Sequence, residues 1–308
     1  MTAADPNPPS TEIWEHPALT LDPVAPDTGP FPRPNFLRTM TSVDEEEVLL
    51  LGDSSSGAMV LTWRSGVLEM AGHPDYCDYH SPLGEGSSDL LAAFLSGTKA
   101  GTQVSLDSLP QEAVPVVEAG LVGGGIDPST RVHHASQVLD LPRSFDDYLG
   151  SLDKKQRHEA RRKLRRFEGA VGELRLETHQ GAGWGFEEFL RLHRLASGEK
   201  GRFMDDRNHR RFATLAEDPA WSTSLLRAGD RVAAALFGAE DSGVYYLYNS
   251  AYDPLLSELS PGLVAVLIAI KEAILRGKRS FDFLKGDEPY KSRLGAIPRL
   301  LYIVGGVK

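Results

Sequence analysis

Residues 243–254 read Gly-Val-Tyr-Tyr-Leu-Tyr-Asn-Ser-Ala-Tyr-Asp-Pro. After a polar loop come Ser260-Pro261-Gly262, an apolar run to Leu275, and then Phe281-Asp282-Phe283-Leu284-Lys285-Gly286-Asp287-Glu288-Pro289-Tyr290-Lys291. The aromatic and β-branched run 244–248 favours a pleated, half-buried strand. Pro261 suits a helix start, because its missing N–H would have no partner there in any case. Residues 263–275 supply one strongly apolar helix with Lys271 and Glu272 on its wet side, stopped by Arg276-Gly277-Lys278. Residues 279–284 form the next short strand. Strand, helix and strand in this order predict a parallel or near-parallel pair joined by a crossover helix.

A helix that follows a strand directly and opens with free backbone N–H groups is a seat for phosphate. Ser260, Gly262 and Leu263 would present those groups, and Gly262 would admit a ligand close to the backbone. One glycine is far less specific than a full glycine-rich phosphate fingerprint, and an ordinary crossover helix fits the same residues.

Working outward, 308 residues hold two domains of usual size. The single cysteine, Cys77, excludes an intramolecular disulfide and fits a reducing cytoplasm; it reads as a small buried hydrophobe. The first basic residue is Arg33, and Pro6, Pro8 and Pro9 interrupt the start, so no targeting segment is read there. The apolar run 263–275 is too short to span a bilayer. A net charge of −10 argues against general affinity for nucleic acid.

Residues 1–34 carry nine prolines and almost no apolar periodicity, which predicts an extended tail, either mobile or lying along the surface. Residues 35–140 alternate short β-like and helical segments as one α/β unit, with no helix start of the 260–262 kind. Residues 120–135 read as a turn-rich link. His133-His134 within it suggest a metal pair, but no Cys, Asp or Glu lies beside them at ligand spacing, so no metal site is expected. Residues 145–171 depart from the acidic balance. Between Asp153 and Glu168 eight Lys/Arg face three Asp/Glu, a local +5 that leaves −15 for the remainder. Leu149, Leu152, Ala160, Leu164, Phe167 and Val171 fall on one stripe at helical spacing, giving an amphipathic helix with a wide basic face. That face, including Arg157 and Arg161, either balances an acidic protein or meets a polyanion: RNA, a nucleotide-activated sugar, anionic lipid or the cofactor's phosphates.

Four motifs in order, Tyr252-Asp253-Pro254, Ser260-Pro261-Gly262, Phe281-Asp282-Phe283 and Gly286-Asp287-Glu288-Pro289-Tyr290-Lys291, resemble the end of the GNAT (Gcn5-related) acyltransferase fold. They match the branch of CelD-like cellulose-biosynthesis acetyltransferases, related to the Fem-type peptidoglycan aminoacyltransferases. The basic helix resembles the one that opens the second domain in these families. The resemblance implies an α/β (α+β) fold of tandem GNAT-like domains with mixed sheets flanked by helices, the first (35–140) degenerate and the second (141–308) holding acyl-CoA. The implied reaction is acyl transfer from acetyl-CoA or another acyl-CoA, without a metal, to a small amine, amino acid or sugar. A Fem-type transfer from aminoacyl-tRNA, bound at the 153–168 helix, and a non-catalytic binding role are the alternatives.

On this reading the pantetheine arm lies between strands 244–250 and 279–284, and the pyrophosphate meets residues 260–263. A backbone N–H near Tyr248 or Asn249 serves the oxyanion. Glu288, Asp287 and His193 are candidate bases, and Tyr290 the general acid. Asp282 points away from its flanking phenylalanines, into the cleft or a structural contact. Lys285 and Lys291 are assigned to phosphate or an acidic acceptor. A surface salt bridge accounts equally well for each of these charged residues.

Overall fold

The computed structural model describes residues 11–308. They divide into two compact units, one running to Ala135 and regaining Leu300–Lys308, the other Ser136–Arg299. This boundary differs from the expected one at 140/141 chiefly at the C-terminus, where the last nine residues leave the second unit for the first. Both units are mixed α/β, with sheets flanked by helices.

In the first unit, residues 11–33 pack rather than trail: Trp14, Ala18, Leu19, Ala25 and Phe31 are buried. Pro17 opens a short 3-10 turn, and Pro26, Pro30 and Pro32 lie in bends and turns between apolar side chains that still find a core, which corrects the expectation of an extended tail for this part. Residues 1–10 of that tail lie outside the described residues. Helix α1 (Pro34–Asp44) opens with its proline and ends at Glu45 in the left-handed region. Strands β1 (Val48–Asp53), β2 (Gly57–Arg64) and β3 (Val67–Met70) form antiparallel neighbours. The two-residue turn Ser65-Gly66 has positive φ at both positions, as the tight hairpin of right-twisted strands requires.

Helix α2 (Ser87–Ser96) leads to strand β4 (Gln103–Pro110), which lies parallel to β3, and then to helix α3 (Val114–Gly123). The glycines at 120–124 are helix packing surface rather than a turn-rich link. A Cβ on Gly120 would sit 2.8 Å from the Leu91 side chain, and one on Gly123 2.8 Å from Ala92. Strand β5 (Ser129–Asp140) begins in this unit, and the C-terminal residues 301–307 pair antiparallel with β4.

In the second unit Ser144 and Asp153 accept hydrogen bonds from Asp147 N–H and Gln156 N–H, so the basic segment is two helices, α4 (Phe145–Ser151) and α5 (Lys154–Val171). After them come β6 (Leu176–His179), α6 (Trp184–Leu195), α7 (Glu199–Phe203), α8 (Asp206–Ala216), β7 (Trp221–Ala228), β8 (Arg231–Glu240) and β9 (Val244–Tyr252). A 3-10 turn, Pro254–Leu259, precedes α9 (Pro261–Leu275), β10 (Ser280–Lys285), α10 (Pro289–Arg293) and β11 (Ile297–Val307). The strand order here is β5-β10-β9-β8-β7-β6, with β9 and β10 parallel as expected and the other neighbours antiparallel.

Successive residues on β8 separate the two faces of this sheet. Leu236 belongs to the core shared with α4, α5 and α9, while Phe237 stacks on Phe189 and Trp221 beneath α6 and α8. Helix α9 is buried almost all round, from Val264 to Ala273. Truncating Leu267 to alanine would cost about 2–5 kcal/mol, and the same burial fixes where the helix begins. Among the described residues no helix is long and apolar enough to cross a membrane.

Candidate functional site

The parallel ladder of β9 and β10 pairs Ser280 with Val244, Phe281 with Tyr245 and Asp282 with Tyr246, and stops there among the described residues. Both strands run on, β9 to Tyr252 and β10 to Lys285. Each carries an extra residue just beyond the last pair. On β9, Leu247 faces Gly238 and Asn249 faces Phe237, which leaves Tyr248 as the bulged residue. On β10 the pairing with β5 steps from Asp282 directly to Lys285. There Leu284 has φ +61°, and its N–H donates to Asp282 Oδ1 at 2.7 Å. Bulges bend strands and re-aim their backbone groups, and here they open a slot whose facing edges an extended ligand can join as an added strand.

Both strands point their carboxyl ends at the same side of the sheet, where α9 starts. Ser260 is left-handed (φ 54°) and places no side chain over the first-turn N–H groups. Pro261 has no N–H, so Gly262 and Leu263 carry the helix's uncapped donors and its positive end. Instead of capping the helix, Ser260 Oγ accepts from Lys163 Nζ of α5 at 2.7 Å. The Cβ position of Gly262 faces the Tyr252 ring, 3.3 Å from its Cδ1.

A groove of about 1060 Å³ opens at this point, lined by α5, Leu263 of α9, and Tyr290, Arg293 and Leu294. Its cations are Lys154, Lys155, Arg157, Arg161, Lys163, Arg165 and Arg293, against one carboxylate, Glu159. That carboxylate is taken by Arg162 and Lys163, at 2.7 and 3.6 Å, and the Arg162 guanidinium holds it down to about 2. Among the described residues no carboxylate pairs with Lys154, Lys155, Arg161, Arg165 or Arg293, whereas Arg166, outside the groove lining, pairs with Glu258. Arg157 donates to the Gly150 carbonyl at 3.0 Å.

Of the residues singled out in the sequence, the groove gathers Arg157, Arg161, Leu263 and Tyr290. The Tyr290 ring is half-buried against Phe283, 6.0 Å between centroids, and burial pushes its hydroxyl well above the ordinary tyrosine value, with Glu288 adding to the effect. Tyr248 contacts Phe212 and Trp221, so it is the bulged backbone at 248–249, not the Tyr248 ring, that belongs to the slot.

Other residues lie elsewhere or are engaged. His193 is buried between Phe189 and Phe203, 5.7 Å from each. Asp282 is buried and serves the β10 bulge through Leu284, the structural alternative of the sequence reading. Lys291 is also buried. Its Nζ donates to the carbonyls of Lys285 (2.7 Å) and Leu284 (3.3 Å) and pairs with Glu288 at 2.9 Å, so the ammonium expected to meet phosphate braces the turn after β10. That same pair occupies the Glu288 carboxylate. Lys285 is half-buried at the end of β10, and Asp287 is exposed.

Lys163 is the residue that sequence reasoning missed. It sits two positions from each of Arg161 and Arg165 in the basic run, and only the docking of α5 against the start of α9 distinguishes it from its neighbours.

Residues 154–292 match the model of the acetyltransferase (GNAT) domain family. A comparison with curated proteins finds no match. Among solved structures, a conserved protein of unknown function from Bacteroides thetaiotaomicron superposes with a TM-score of 0.65 at 11% identity, covering 99% of both chains. FemX superposes with a TM-score of 0.63 at 10% identity, over 98% of this chain and 97% of its own. At such identities these likenesses carry the fold alone. The family match over 154–292 takes in the basic helix, the splayed strands and the α9 start together, so this segment is similar to GNAT-type acetyltransferase domains.

Proposed function

We propose that the domain transfers an acyl group from an acyl-CoA, acetyl-CoA as the simplest case, to the nitrogen or oxygen of a small amine, amino acid or sugar. The observation that carries this reading is the uncapped α9 start, set beside splayed strand edges and opening into a groove of seven cations and one carboxylate. Its parts fit the donor in turn. Gly262 and Leu263 N–H groups suit a pyrophosphate, with Lys163 adjacent. Arg161 and Arg165 suit a further phosphate, and the 247–250 and 283–285 edges suit the amides of a pantetheine arm. The donor supplies a thioester, whose carbonyl gains negative charge and whose sulfur leaves as a thiolate. The backbone N–H groups at the 248–249 bulge suit that charge. Tyr290, firmly protonated at neutral pH, holds a proton for the departing thiolate, and the proton that the acceptor nitrogen or oxygen loses on bonding to the acyl carbon returns, through solvent, to restore it. The CelD-like kinship rests on the four sequence motifs and belongs to this proposal.

A second reading has its own observation. The groove's cations run from Lys154 to Arg165, about 16 Å of helix at 1.5 Å per residue, a length that also suits an RNA backbone. Calorimetric titration of the full chain with acetyl-CoA and, separately, with tRNA decides between them. Heat with acetyl-CoA that disappears in Arg161→Gln/Lys163→Gln, with none from tRNA, supports acyl-CoA. The reverse supports aminoacyl-tRNA, and silence from both rejects the two donors together.

A further inference from the structure

The first unit brings a carboxylate to the paired histidines that the sequence leaves without one. His133 Nδ1 lies 2.9 Å from both carboxylate oxygens of Asp107, a residue 26 positions away on β4. Consecutive strand residues ordinarily point to opposite faces. Yet the rings of His133 and His134 lie 4.0 Å apart between centroids, tilted by 44°. The ligand-capable atoms of Asp107, His133 and His134 fall within 4.8 Å of one another. We propose that Asp107, His133 and His134 form a binding site for a divalent cation of the zinc class, separate from the acyltransferase groove.

The carboxylate is placed by backbone construction rather than by a flexible tether. Strand β4 carries an extra residue between Leu106, opposite Val304, and Leu109, opposite Tyr302. Ser108 in that bulge is left-handed (φ 61°) and its N–H donates to Asp107 Oδ1 at 2.6 Å. The buried His80 braces the same point from behind, with Nδ1 2.8 Å from the Asp107 carbonyl and its own N–H donating to the Ser108 carbonyl. The Asp107 side chain is only 12% exposed, while that of His133 is 35% exposed and open to solvent. One fixed oxygen ligand thus faces two adjustable imidazoles.

Two imidazoles and a carboxylate are the ligand set of a borderline-soft divalent ion and leave a coordination position open for water. With bonds of 2.0–2.1 Å, tetrahedral ligands stand about 3.3 Å apart. The Asp107–His133 contact needs to open slightly and His134 to swing inward, both within the reach of rotations of exposed rings. Loading would replace the His133–Asp107 hydrogen bond by two metal–ligand bonds, with the neutral His133 carrying its proton on Nε2; a protonated imidazole would release one proton to water.

The test is equilibrium dialysis of the tag-free full chain against Zn²⁺ near neutral pH, with bound metal counted by elemental analysis. One ion per chain is expected. His134→Ala and His133→Gln should each weaken its retention by about tenfold or more. Asp107→Asn keeps the shape at the bulge and should lose the ion while its circular dichroism stays that of the parent. A parent that retains no Zn²⁺, or variants that retain it as the parent does, would overturn the site and leave the His133–Asp107 contact an ordinary hydrogen bond.

Discussion

Two helix starts in this molecule answer the same electrostatic problem in opposite ways. Helix α2 of the first unit begins in a closed setting. Ser87 is fully buried, its hydroxyl donates to the Leu83 carbonyl at 2.5 Å, and Asp89 places a carboxylate within the first turn. Its positive end is therefore balanced by its own chain. Neither start has a capping side chain, but α9 also lacks an acidic residue in its first turn and meets a lysine besides. Positive charge has been concentrated there instead of neutralised, a setting that favours an anion. The difference teaches why the first unit, also mixed α/β, offers no second donor seat of this kind at α2.

The sharpest way to break the comparison is to reverse the charge at one start and not the other. Arg161→Glu/Arg165→Glu should weaken acetyl-CoA binding by about 100-fold or more at low salt, a loss of about 2.7 kcal/mol. Asp89→Lys at the α2 start should leave donor affinity as it was. Calorimetry on both reads the contrast directly, and equal losses would mean that net charge alone is being sensed. The loss from the double reversal should also shrink as salt rises, because exposed charges are screened within about 10 Å at 0.1 M.

Next in size is Tyr290→Phe. Removing the hydroxyl leaves the ring against Phe283, so donor binding should hold while turnover falls by about 10². Because burial raises the Tyr290 pKa, the neutral, donating form persists to higher pH than for a free tyrosine. No alkaline loss of rate due to this residue should appear near pH 10 in the parent. Normal turnover in the variant would make the tyrosine a packing residue.

A smaller effect is expected at Gly262. A side chain there presses on the Tyr252 ring at the α9 start, so Gly262→Val should weaken donor binding about tenfold, roughly 1.4 kcal/mol. The double variant Gly262→Val/Tyr252→Ala separates two causes. Recovery of affinity points to the displaced ring, and persistence of the loss points to obstruction of the ligand itself.

The smallest effect concerns Glu159, held down to about 2 from an ordinary 4.5 by Arg162. A depressed carboxylate stabilises the folded state fully above its unfolded value and loses that contribution as pH falls through the folded one. The stabilisation should thus fade between pH 4.5 and about 2. For so exposed a pair it amounts to about 0.3–0.5 kcal/mol. Glu159→Gln should flatten that part of the acid-unfolding curve, and an unchanged curve would assign the acid sensitivity to other groups.

Much of the candidate site was legible because its parts are local. A proline at a helix start, a run of aliphatic residues and a flanking pair of aromatic strands are short-range patterns, and they specified β9, α9, β10 and the parallel pairing of the strands from sequence alone. The concentration of charge at 153–168 was equally plain. The break at Leu152-Asp153 was also written locally, in the Asp153 cap, although the continuous apolar stripe concealed it.

What the sequence determined is therefore periodicity, caps and charge, each set by neighbours a few residues away. What only the tertiary structure decided is which distant groups meet. The C-terminal strand joined the first unit because its backbone pairs with β4. Lys291 turned inward because the carbonyls of the 284–286 turn needed a donor. Lys163 became the partner of Ser260, 97 residues away, and Asp107 that of His133. Such contacts follow from the packing of whole elements, whose burial energy outweighs any single side chain's preference, so no spacing along the chain could announce them.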